Sequence, residues 1–332
     1  MDKESIVIFS NHGGFGGSYN LNIAINKYSK KYFSNLITDI QSPYGFGNGL
    51  FPKENFQQID SIINKTKKLF ICDYQGLSAV ARYLSIKNNR IIKHKIDKKN
   101  DINFIFRWLS SYKVVFFWSG TIYMNNCNVI NKWVRGLSSC SQTFAMCDLM
   151  RCDSRAMPLY QPFNLIPYSG DKFEKFTLCH SPGLKYKYKE GKGGKGTVFI
   201  EKAFNQLKKE NSNFDFYVLK DLSYDKAIET KSKSHIFVDQ IMPNIGGIGK
   251  SGLESLMLGV PTMGDVHNCK FEGYYKDCPA INVLNSVDLY NNINILYKDK
   301  NKLKDLSLLS SEWGKKLTFE NTVNYLENSL SW

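Results

Sequence analysis

Short apolar segments alternate with helix-like segments along this chain, and this alternation restricts the fold more than any other feature. In the first half, strand patterns occur at 5–9, 69–72, 90–94 and 114–118, with a helical pattern at 18–28. In the second half, strand patterns at 176–180, 214–219, 235–241 and 260–263 alternate with helical patterns at 198–209, 252–258 and 319–330. Such alternation is typical of α/β proteins with parallel sheets. We therefore predict an α/β chain of Rossmann-like domains.

A proline-rich segment near the middle of the chain indicates a domain boundary. Pro158, Pro162 and Pro167 fall within ten residues, and a Ser-Gly-Asp sequence follows them. Proline and glycine interrupt regular structure. At about 100–200 residues per domain, the 332 residues suggest two domains. We place an N-terminal Rossmann-like domain at 1–166 and a C-terminal Rossmann-like domain at 167–318.

The chain is basic, with a formal net charge of +14. A basic surface attracts phosphate groups, nucleic acid or anionic membrane, so DNA and an anionic membrane surface are candidate partners of the basic face. No apolar run reaches the about 18 residues that span a bilayer. The first four residues, Met-Asp-Lys-Glu, are too few and too acidic for a signal peptide. We expect a cytoplasmic protein, or one that is peripheral at the inner membrane.

The cysteines do not indicate a metal site. Eight are scattered along the chain, and none forms a Cys-x-x-Cys pair. Zinc ribbons and thioredoxin-like sites need that spacing. We predict reduced thiols in a reducing compartment.

A glycine-rich segment at 11–18 lies between the first strand pattern and the first helical pattern. Glycines let the backbone approach a ligand closely, and a helix N-terminus presents free N–H groups to an anion. Gly16 and Gly17 are therefore candidate ligand-binding residues. The alternative is a plain turn between strand and helix.

A second candidate segment, at 185–197, is rich in lysine and glycine and precedes a helical pattern. Lysines on such a loop can bind a diphosphate, and Lys195 stands closest to the helix. Thr197 is a candidate N-cap residue for that helix. The alternative for 185–192 is a solvated loop.

The strongest candidate segment is Gly-Gly-Ile-Gly-Lys-Ser-Gly-Leu-Glu at 246–254. Glycines, a lysine and a helix start meet there, after a strand pattern, where open α/β sheets bind ligands. Backbone N–H groups at such a start can bind a phosphate, and an acidic residue one turn later can accept from a ribose hydroxyl. The candidate residues are Gly247, Lys250, Ser251, Gly252 and Glu254.

This segment allows two other interpretations. It could be a buried, capped helix with no ligand. It also resembles a Walker A loop, but Asn244 stands where that motif requires its first glycine. A Rossmann dehydrogenase is disfavoured because the segment at 11–18 lacks the required glycine spacing.

Several segments together resemble the donor-binding half of retaining GT-B glycosyltransferases. They are His-Ser-Pro at 180–182, Lys-Gly-Thr at 195–197, Val-Asp-Gln at 238–240 and the run at 252–262 that ends in Gly-Val-Pro-Thr. The resemblance implies two Rossmann-like domains that face each other across a cleft, with a C-terminal helix at 319–332 that crosses back to the N-terminal domain. It assigns the N-terminal domain to the acceptor side and the C-terminal domain to nucleotide-sugar binding. It also implies a nucleotide-sugar co-substrate and no cofactor.

The resemblance assigns roles to individual residues. Ser181 and Lys195 would bind the diphosphate, and Glu254 would bind the ribose. The sequence departs from the family pattern at two positions: Gly246 stands where relatives carry the first of two glutamates, and Trp118 stands where relatives often carry a histidine. Those departures affect contacts to the donor sugar and near the reaction centre.

The expected mechanism is electrostatic. Lys195, Lys250 and the helix start at Ser251 would neutralise charge on the leaving diphosphate, and domain closure would exclude water. No Asp-x-Asp motif occurs to hold a metal, so we predict a metal-independent reaction. His12 and His94 are candidate bases only because they lie near predicted strand ends.

The acceptor remains open between classes. We favour a saccharide or a lipid-linked sugar, because that is the commoner use of this architecture. The alternatives are a glycosyltransferase that acts on modified DNA bases and a non-catalytic nucleotide-sugar-binding relative. The sequence does not specify the oligomeric state.

Overall fold

The computed structural model divides the chain into two compact units. The first unit is Met1–Phe163 with Phe319–Trp332, and the second is Asn164–Thr318. The structure describes residues 2–10, 17–39, 49–89, 99–118, 121–146, 149–150, 152–182, 194–242, 247–267, 269 and 271–330.

The first unit is built on a parallel sheet with the strand order β2-β1-β3-β4-β5-β6. The strands are β1 (Glu4–Ser10), β2 (Tyr32–Thr38), β3 (Lys68–Cys72), β4 (Lys113–Trp118), β5 (Cys140–Ala145) and β6 (Met157–Pro158). The helices between them are α1 (Gly17–Tyr28), α2 (Phe56–Lys65), α3 (Asp73–Lys87), α4 (Lys99–Leu109) and α5 (Thr121–Arg135).

The central strands of this sheet are buried on both faces, which explains their continuous apolar runs. Val7, Phe9, Ile71 and Phe116 are fully buried in one core. Trp118 belongs to the same core, and its ring stacks on that of Phe116 with the centroids 5.0 Å apart. Trp118 is therefore a packing residue.

The second unit is also an α/β unit, with a five-stranded parallel sheet in the order β11-β10-β9-β7-β8. Its strands are β7 (Phe176–His180), β8 (Phe214–Val218), β9 (Ile236–Val238), β10 (Thr262–Gly264) and β11 (Ile281–Asn282). Its helices are α6 (Thr197–Glu210), α7 (Tyr224–Lys233), α8 (Lys250–Met257), α9 (Ser286–Lys298) and α10 (Lys300–Gly314). The strand order reverses between β7 and β9, and such a reversal opens a crevice at the carboxyl ends of the strands.

The periodic sequence pattern of α6 explains its packing. Ile200, Ala203, Phe204 and Leu207 recur at helical spacing, and all four are buried in the core of the second unit. Lys208 and Lys209, in the last turn of α6, are exposed. The predicted helix and its buried face are confirmed.

The last helix, α11 (Phe319–Ser329), belongs to the first unit and packs against α1. Phe319, Val323 and Leu326 are its buried apolar side chains. The Glu327 carboxylate accepts hydrogen bonds from the side chain of Ser29 and from the backbone N–H groups of Lys30 and Lys31. These hydrogen bonds connect α11 to the segment that follows α1.

The predicted fold class is confirmed, with small shifts in element ends. The predicted strand at 235–241 is shorter, at Ile236–Val238, and the helix predicted at 252–258 begins two residues earlier, at Lys250. The strand predicted at 90–94 lies outside the described residues. Among the described helices, none is both long and apolar enough to cross a membrane.

Candidate functional site

The candidate site of the second unit lies at the carboxyl ends of β7 and β9, where the strand order reverses. The segment after β7 leads to α6, and the segment after β9 leads to α8. Each helix begins near this end of the sheet, and the first backbone N–H groups of a helix have no helical carbonyl four residues before them. In α8, the N–H of Gly252 donates instead to the carbonyl oxygen of Gly249. Parallel strands place these starts at one edge of the sheet.

The start of α6 has an unusual backbone. Lys195 has a φ of 58° and Gly196 has a φ of 75°. A side chain at Gly196 would place its Cβ 2.1 Å from the carbonyl oxygen of Ile241, so only glycine fits. Left-handed non-glycine residues cost of order 1–3 kcal/mol and cluster at functional sites. The strained backbone conformation sets the direction in which the Lys195 side chain leaves the main chain.

The predicted capping role of Thr197 is wrong, because the N-cap residue of α6 is Gly196. Thr197 is the first helical residue, and its hydroxyl lies 2.8 Å from Nε2 of His180. The other ring nitrogen of His180 lies 2.8 Å from the carbonyl oxygen of Val238. Burial lowers the pKa of His180 to about 4, so the ring is neutral near pH 7. His180 therefore joins β7, β9 and α6 as a structural residue.

Asp239 is the residue that organises the positive charge at this site. Its side chain is fully buried, and Oδ1 accepts from Nζ of Lys195 at 3.0 Å. Its Oδ2 accepts from the backbone N–H of Gly249 at the start of α8. One carboxylate therefore holds the Lys195 ammonium beside the N-terminus of α8.

Close packing requires glycine in the first turn of α8. A Cβ at Gly252 would lie 2.8 Å from Oδ2 of Asp239 and 2.6 Å from Cγ1 of Ile248. Contacts below 3.0 Å force a shift of backbone or buried side chain. The glycines of this segment thus permit the buried carboxylate to lie against the helix.

A second cluster surrounds Glu254, one turn into α8. Its buried carboxylate accepts from Nζ of Lys231 at 2.8 Å and from the hydroxyl of Tyr224 at 3.2 Å. Nζ of Lys250 lies 3.7 Å away. Nζ of Lys231 also donates to the carbonyl oxygen of Ser251 at 3.0 Å. Glu254 is thereby fixed within the second unit.

The pKa values in this cluster reflect competition between burial and ion pairing. Burial raises the pKa of Glu254, but the attraction and hydrogen bonds of its partners, chiefly Lys231 and Lys250, bring it below its ordinary value. Burial lowers the pKa of Lys250, and the attraction of Glu254 opposes that change. Glu254 is therefore ionised at neutral pH.

The structure brings most predicted donor-site residues together in the second unit. Lys195 lies beside Gly249, with its Nζ 3.6 Å from where a Cβ would stand there. Lys250, Ser251 and Gly252 form the first turn of α8. The three lysines of the two clusters face two carboxylates, which leaves one positive charge beside a helix N-terminus. Such an arrangement can bind an anion.

Gly247 and Ser181 occupy neighbouring segments. The N–H of Gly247 donates to the carbonyl oxygen of Asp265, and its own carbonyl accepts from Nε2 of Gln240 at 2.7 Å. Ser181 directly follows β7 and is half-buried. Both residues thus lie in segments that follow strands of this sheet.

The remaining predicted glycines belong to the first unit. Gly17 is the first residue of α1, and a Cβ there would lie 2.4 Å from Cδ of Gln161. The next residue, Ser18, donates to the hydroxyl of Ser10 at 2.8 Å. Gly16 lies outside the described residues, as do His12 and His94.

Sequence reasoning included Asp239 in the GT-B resemblance but assigned it no role, and it did not find Lys231 or Tyr224. Asp239 directly follows a strand pattern, and that position was the available signal. Lys231 and Tyr224 lie on α7, more than twenty residues before their partner, so no local pattern connects them with Glu254. Among the described residues, no three His, Cys, Asp or Glu side chains are grouped as a metal site would require.

Structural comparison identifies the fold. No protein-family model and no curated protein matches the sequence. HepE from Anabaena, solved with UDP and glucose, matches with a TM-score of 0.62 and 10% identity, over 99% of this chain and 100% of HepE. TarM matches with a TM-score of 0.59 and 10% identity, over 99% of this chain and 98% of TarM. A glycosyltransferase from Rickettsia africae matches with a TM-score of 0.55 and 10% identity, over 99% of this chain and 98% of its own.

The chain has the GT-B fold. Its two units correspond to the pair of Rossmann-like domains of that fold, and the likeness covers the whole chain. HepE has also been solved with UDP-glucose, with a TM-score of 0.59 to this chain. The neighbours include a glycosyltransferase and proteins solved with UDP or UDP-glucose, which agrees with the GT-B resemblance of the sequence, and they also include a protein named as a UDP-N-acetylglucosamine 2-epimerase.

Proposed function

We propose that the protein is a glycosyltransferase that uses a UDP-sugar as its donor. The observation that carries the proposal is the buried Asp239 carboxylate, which holds the Lys195 ammonium at 3.0 Å beside the N-terminus of α8. A preorganised ammonium and free helical N–H groups suit a diphosphate. The GT-B fold and the neighbours solved with UDP or UDP-glucose support the choice of donor.

The diphosphate binds at Lys195, Lys250 and the backbone N–H group of Ser251. The N–H of Gly252 already donates to the carbonyl oxygen of Gly249 at 3.0 Å, so Gly252 serves as the glycine that close packing at this turn requires. Ser181 adds a hydroxyl from the end of β7, and Gly247 supplies backbone from the segment before α8. Gly16 and Gly17 stay donor-binding predictions from the sequence, and Gly17 is the first residue of α1. On donor binding, Lys250 exchanges its 3.7 Å contact with Glu254 for the diphosphate.

The ribose binds at Glu254. An ionised carboxylate only accepts hydrogen bonds, and the partners of Glu254 hold it ionised. Lys250 contacts Oε1 of Glu254, which also accepts from the Tyr224 hydroxyl. When Lys250 moves to the diphosphate, a ribose hydroxyl replaces it as the second donor to Oε1. Lys231 stays on the other oxygen, at 2.8 Å, and keeps the carboxylate in place.

In the reaction, the bond between the anomeric carbon and the diphosphate oxygen breaks, and a bond from that carbon to an acceptor oxygen forms. UDP leaves with the bonding electron pair, and its departing diphosphate oxygen takes the proton that the acceptor hydroxyl loses. Lys195, Lys250 and the α8 N-terminus stabilise the charge that grows on UDP. In this proposal the reaction retains the anomeric configuration, needs no metal or other cofactor, and uses a saccharide or lipid-linked acceptor.

The activity is tested by release of UDP from a panel of UDP-sugars, with oligosaccharides or lipid-linked sugars as acceptors. We expect acceptor-dependent UDP release with one sugar and not with its epimers, without added metal and in the presence of EDTA. A protein that binds UDP-sugars but releases no UDP with any acceptor would be a non-catalytic binding relative. Release only with duplex DNA, falling steeply with salt, would replace the saccharide acceptor by DNA.

A further inference from the structure

A carboxylate–imidazole pair lies beside the donor site and has no role in the mechanism above. Asp265 directly follows β10 and is fully buried. Its Oδ1 is hydrogen-bonded to Nδ1 of His267. No described group is hydrogen-bonded to its buried Oδ2. The His267 side chain is 37% exposed.

The chemistry of this pair is asymmetric. An ionised carboxylate only accepts, so Nδ1 of His267 carries the hydrogen that it shares with Asp265. In the tautomer with its hydrogen on Nδ1, Nε2 is an acceptor, and no described group is bonded to it. A buried polar atom without a partner costs about 1–3 kcal/mol, and native structures contain few. The buried Asp265 carboxylate therefore orients the imidazole ring of His267, whose side chain is partly exposed to solvent.

The pair is tied to the donor site through the backbone. The N–H of Asp265 donates to the carbonyl oxygen of Gln240 at 2.7 Å, and its own carbonyl accepts from the N–H of Gly247. Asp265 and Asp239 follow neighbouring strands, because Met263 of β10 pairs with Val238 of β9. Neighbouring strands lie about 4.8 Å apart. The pair is therefore one strand away from the Asp239–Lys195 contact.

Asp265 lies on the β10 side of the Lys195 ammonium, because β9 and β10 follow β7 in the sheet order. Glu254 lies on α8, which joins β9 to β10. The sugar of a nucleotide sugar is bonded directly to the diphosphate, so a sugar whose diphosphate is at Lys195 is within reach of groups one strand away.

We propose that Asp265 and His267 recognise the sugar of the UDP-sugar donor, with Nε2 of His267 accepting a hydrogen bond from a sugar hydroxyl. Asp265 is a positioning residue that orients the ring. The inference rests on the proposed function, because it needs a nucleotide sugar at the donor site. It assigns sugar recognition to side chains that follow β10.

The test compares the binding of UDP and UDP-glucose by calorimetric titration of the full chain. The variants are His267→Gln and Asp265→Asn, and Glu272→Gln is the control, since Glu272 is exposed a few residues further along the same connection. Loss of one neutral hydrogen bond weakens UDP-glucose binding about three- to tenfold. We expect that loss in both variants, unchanged Kd for UDP, and no change in the control. Because the His267 side chain is partly exposed, we expect His267→Gln to fold, and its binding can be measured even if Asp265→Asn unfolds.

The possible results separate the two proposals. Equal weakening of UDP and UDP-glucose, or no change in either, overturns the sugar-recognition role while the donor site stands. The sugar-recognition role is also overturned if the wild-type protein binds UDP-glucose no more tightly than UDP. If the wild-type protein binds neither ligand, the proposed function itself fails.

Discussion

At the scale of single residues, the site depends on buried carboxylates that organise lysines. Asp239 and Glu254 are both buried, and each has at least one lysine within 3.0 Å. A buried ion pair contributes little net stability, but removal of one partner costs about 3–5 kcal/mol because it leaves an uncompensated charge. Such pairs are therefore better explained by positioning than by stability.

The stability contributed by Glu254 should depend on pH. The pKa of Glu254 in the folded protein lies below its ordinary value of 4.5. A lowered folded pKa gives stability that is present above the unfolded pKa and is lost as pH falls through the folded pKa. We expect Glu254→Gln to lower the free energy of unfolding by about 3 kcal/mol or more at pH 7, and the difference from wild type to shrink below about pH 4.

Urea unfolding at a series of pH values measures this difference. Glu312→Gln is the control, because Glu312 pairs with Lys315 on the surface and surface pairs are worth about 0–1 kcal/mol. A difference between Glu254→Gln and wild type that stays constant from pH 7 to pH 3 would contradict the ion-pair account.

At the scale of elements, the sequence predicted helices and strands best where the spacing of apolar residues fitted one kind of element. The strand predicted at 176–180 and the helix predicted at 198–209 agree with the observed elements to within one residue at each end, because their apolar spacing is regular. Strand β2 was missed because its sequence, Tyr-Phe-Ser-Asn-Leu-Ile-Thr, carries polar residues in its middle. Helix α8 begins earlier than predicted, because its start is set by the contact between Asp239 and Gly249.

The first turn of α8 provides a test in which two effects oppose each other. Helix propensity alone predicts that Gly252→Ala stabilises the protein by roughly 1 kcal/mol. The Cβ would, however, lie 2.8 Å from Oδ2 of Asp239, which displaces the carboxylate or the helix. We expect a net loss of stability of about 1–3 kcal/mol and weaker UDP binding.

Thermal unfolding with and without UDP checks both effects. Gly136→Ala is the control, because Gly136 is exposed and its added Cβ would approach no atom closer than 3.3 Å. A more stable Gly252→Ala protein with unchanged UDP affinity would refute the packing argument for this turn.

At the scale of the whole molecule, the sequence predicted the fold class because both halves repeat the same strand–helix alternation. Residues such as Lys195, Lys250 and Glu254 could be selected because glycines and helix starts mark ligand sites locally. The supporting residues His180, Lys231 and Tyr224 could not, because their roles arise from contacts across strands and helices. Predictions at this scale therefore concern binding by the full chain.

The most direct measurement is a calorimetric titration of UDP into the wild-type protein and Lys195→Ala. Lys202→Ala is the control, since Lys202 is exposed on α6, the helix that follows Lys195. The account predicts that wild type and control bind UDP alike, and that Lys195→Ala binds about 10- to 100-fold more weakly, as loss of a charged hydrogen bond implies. Equal affinity in all three proteins, or no binding of UDP by the wild type, would contradict the proposed donor site.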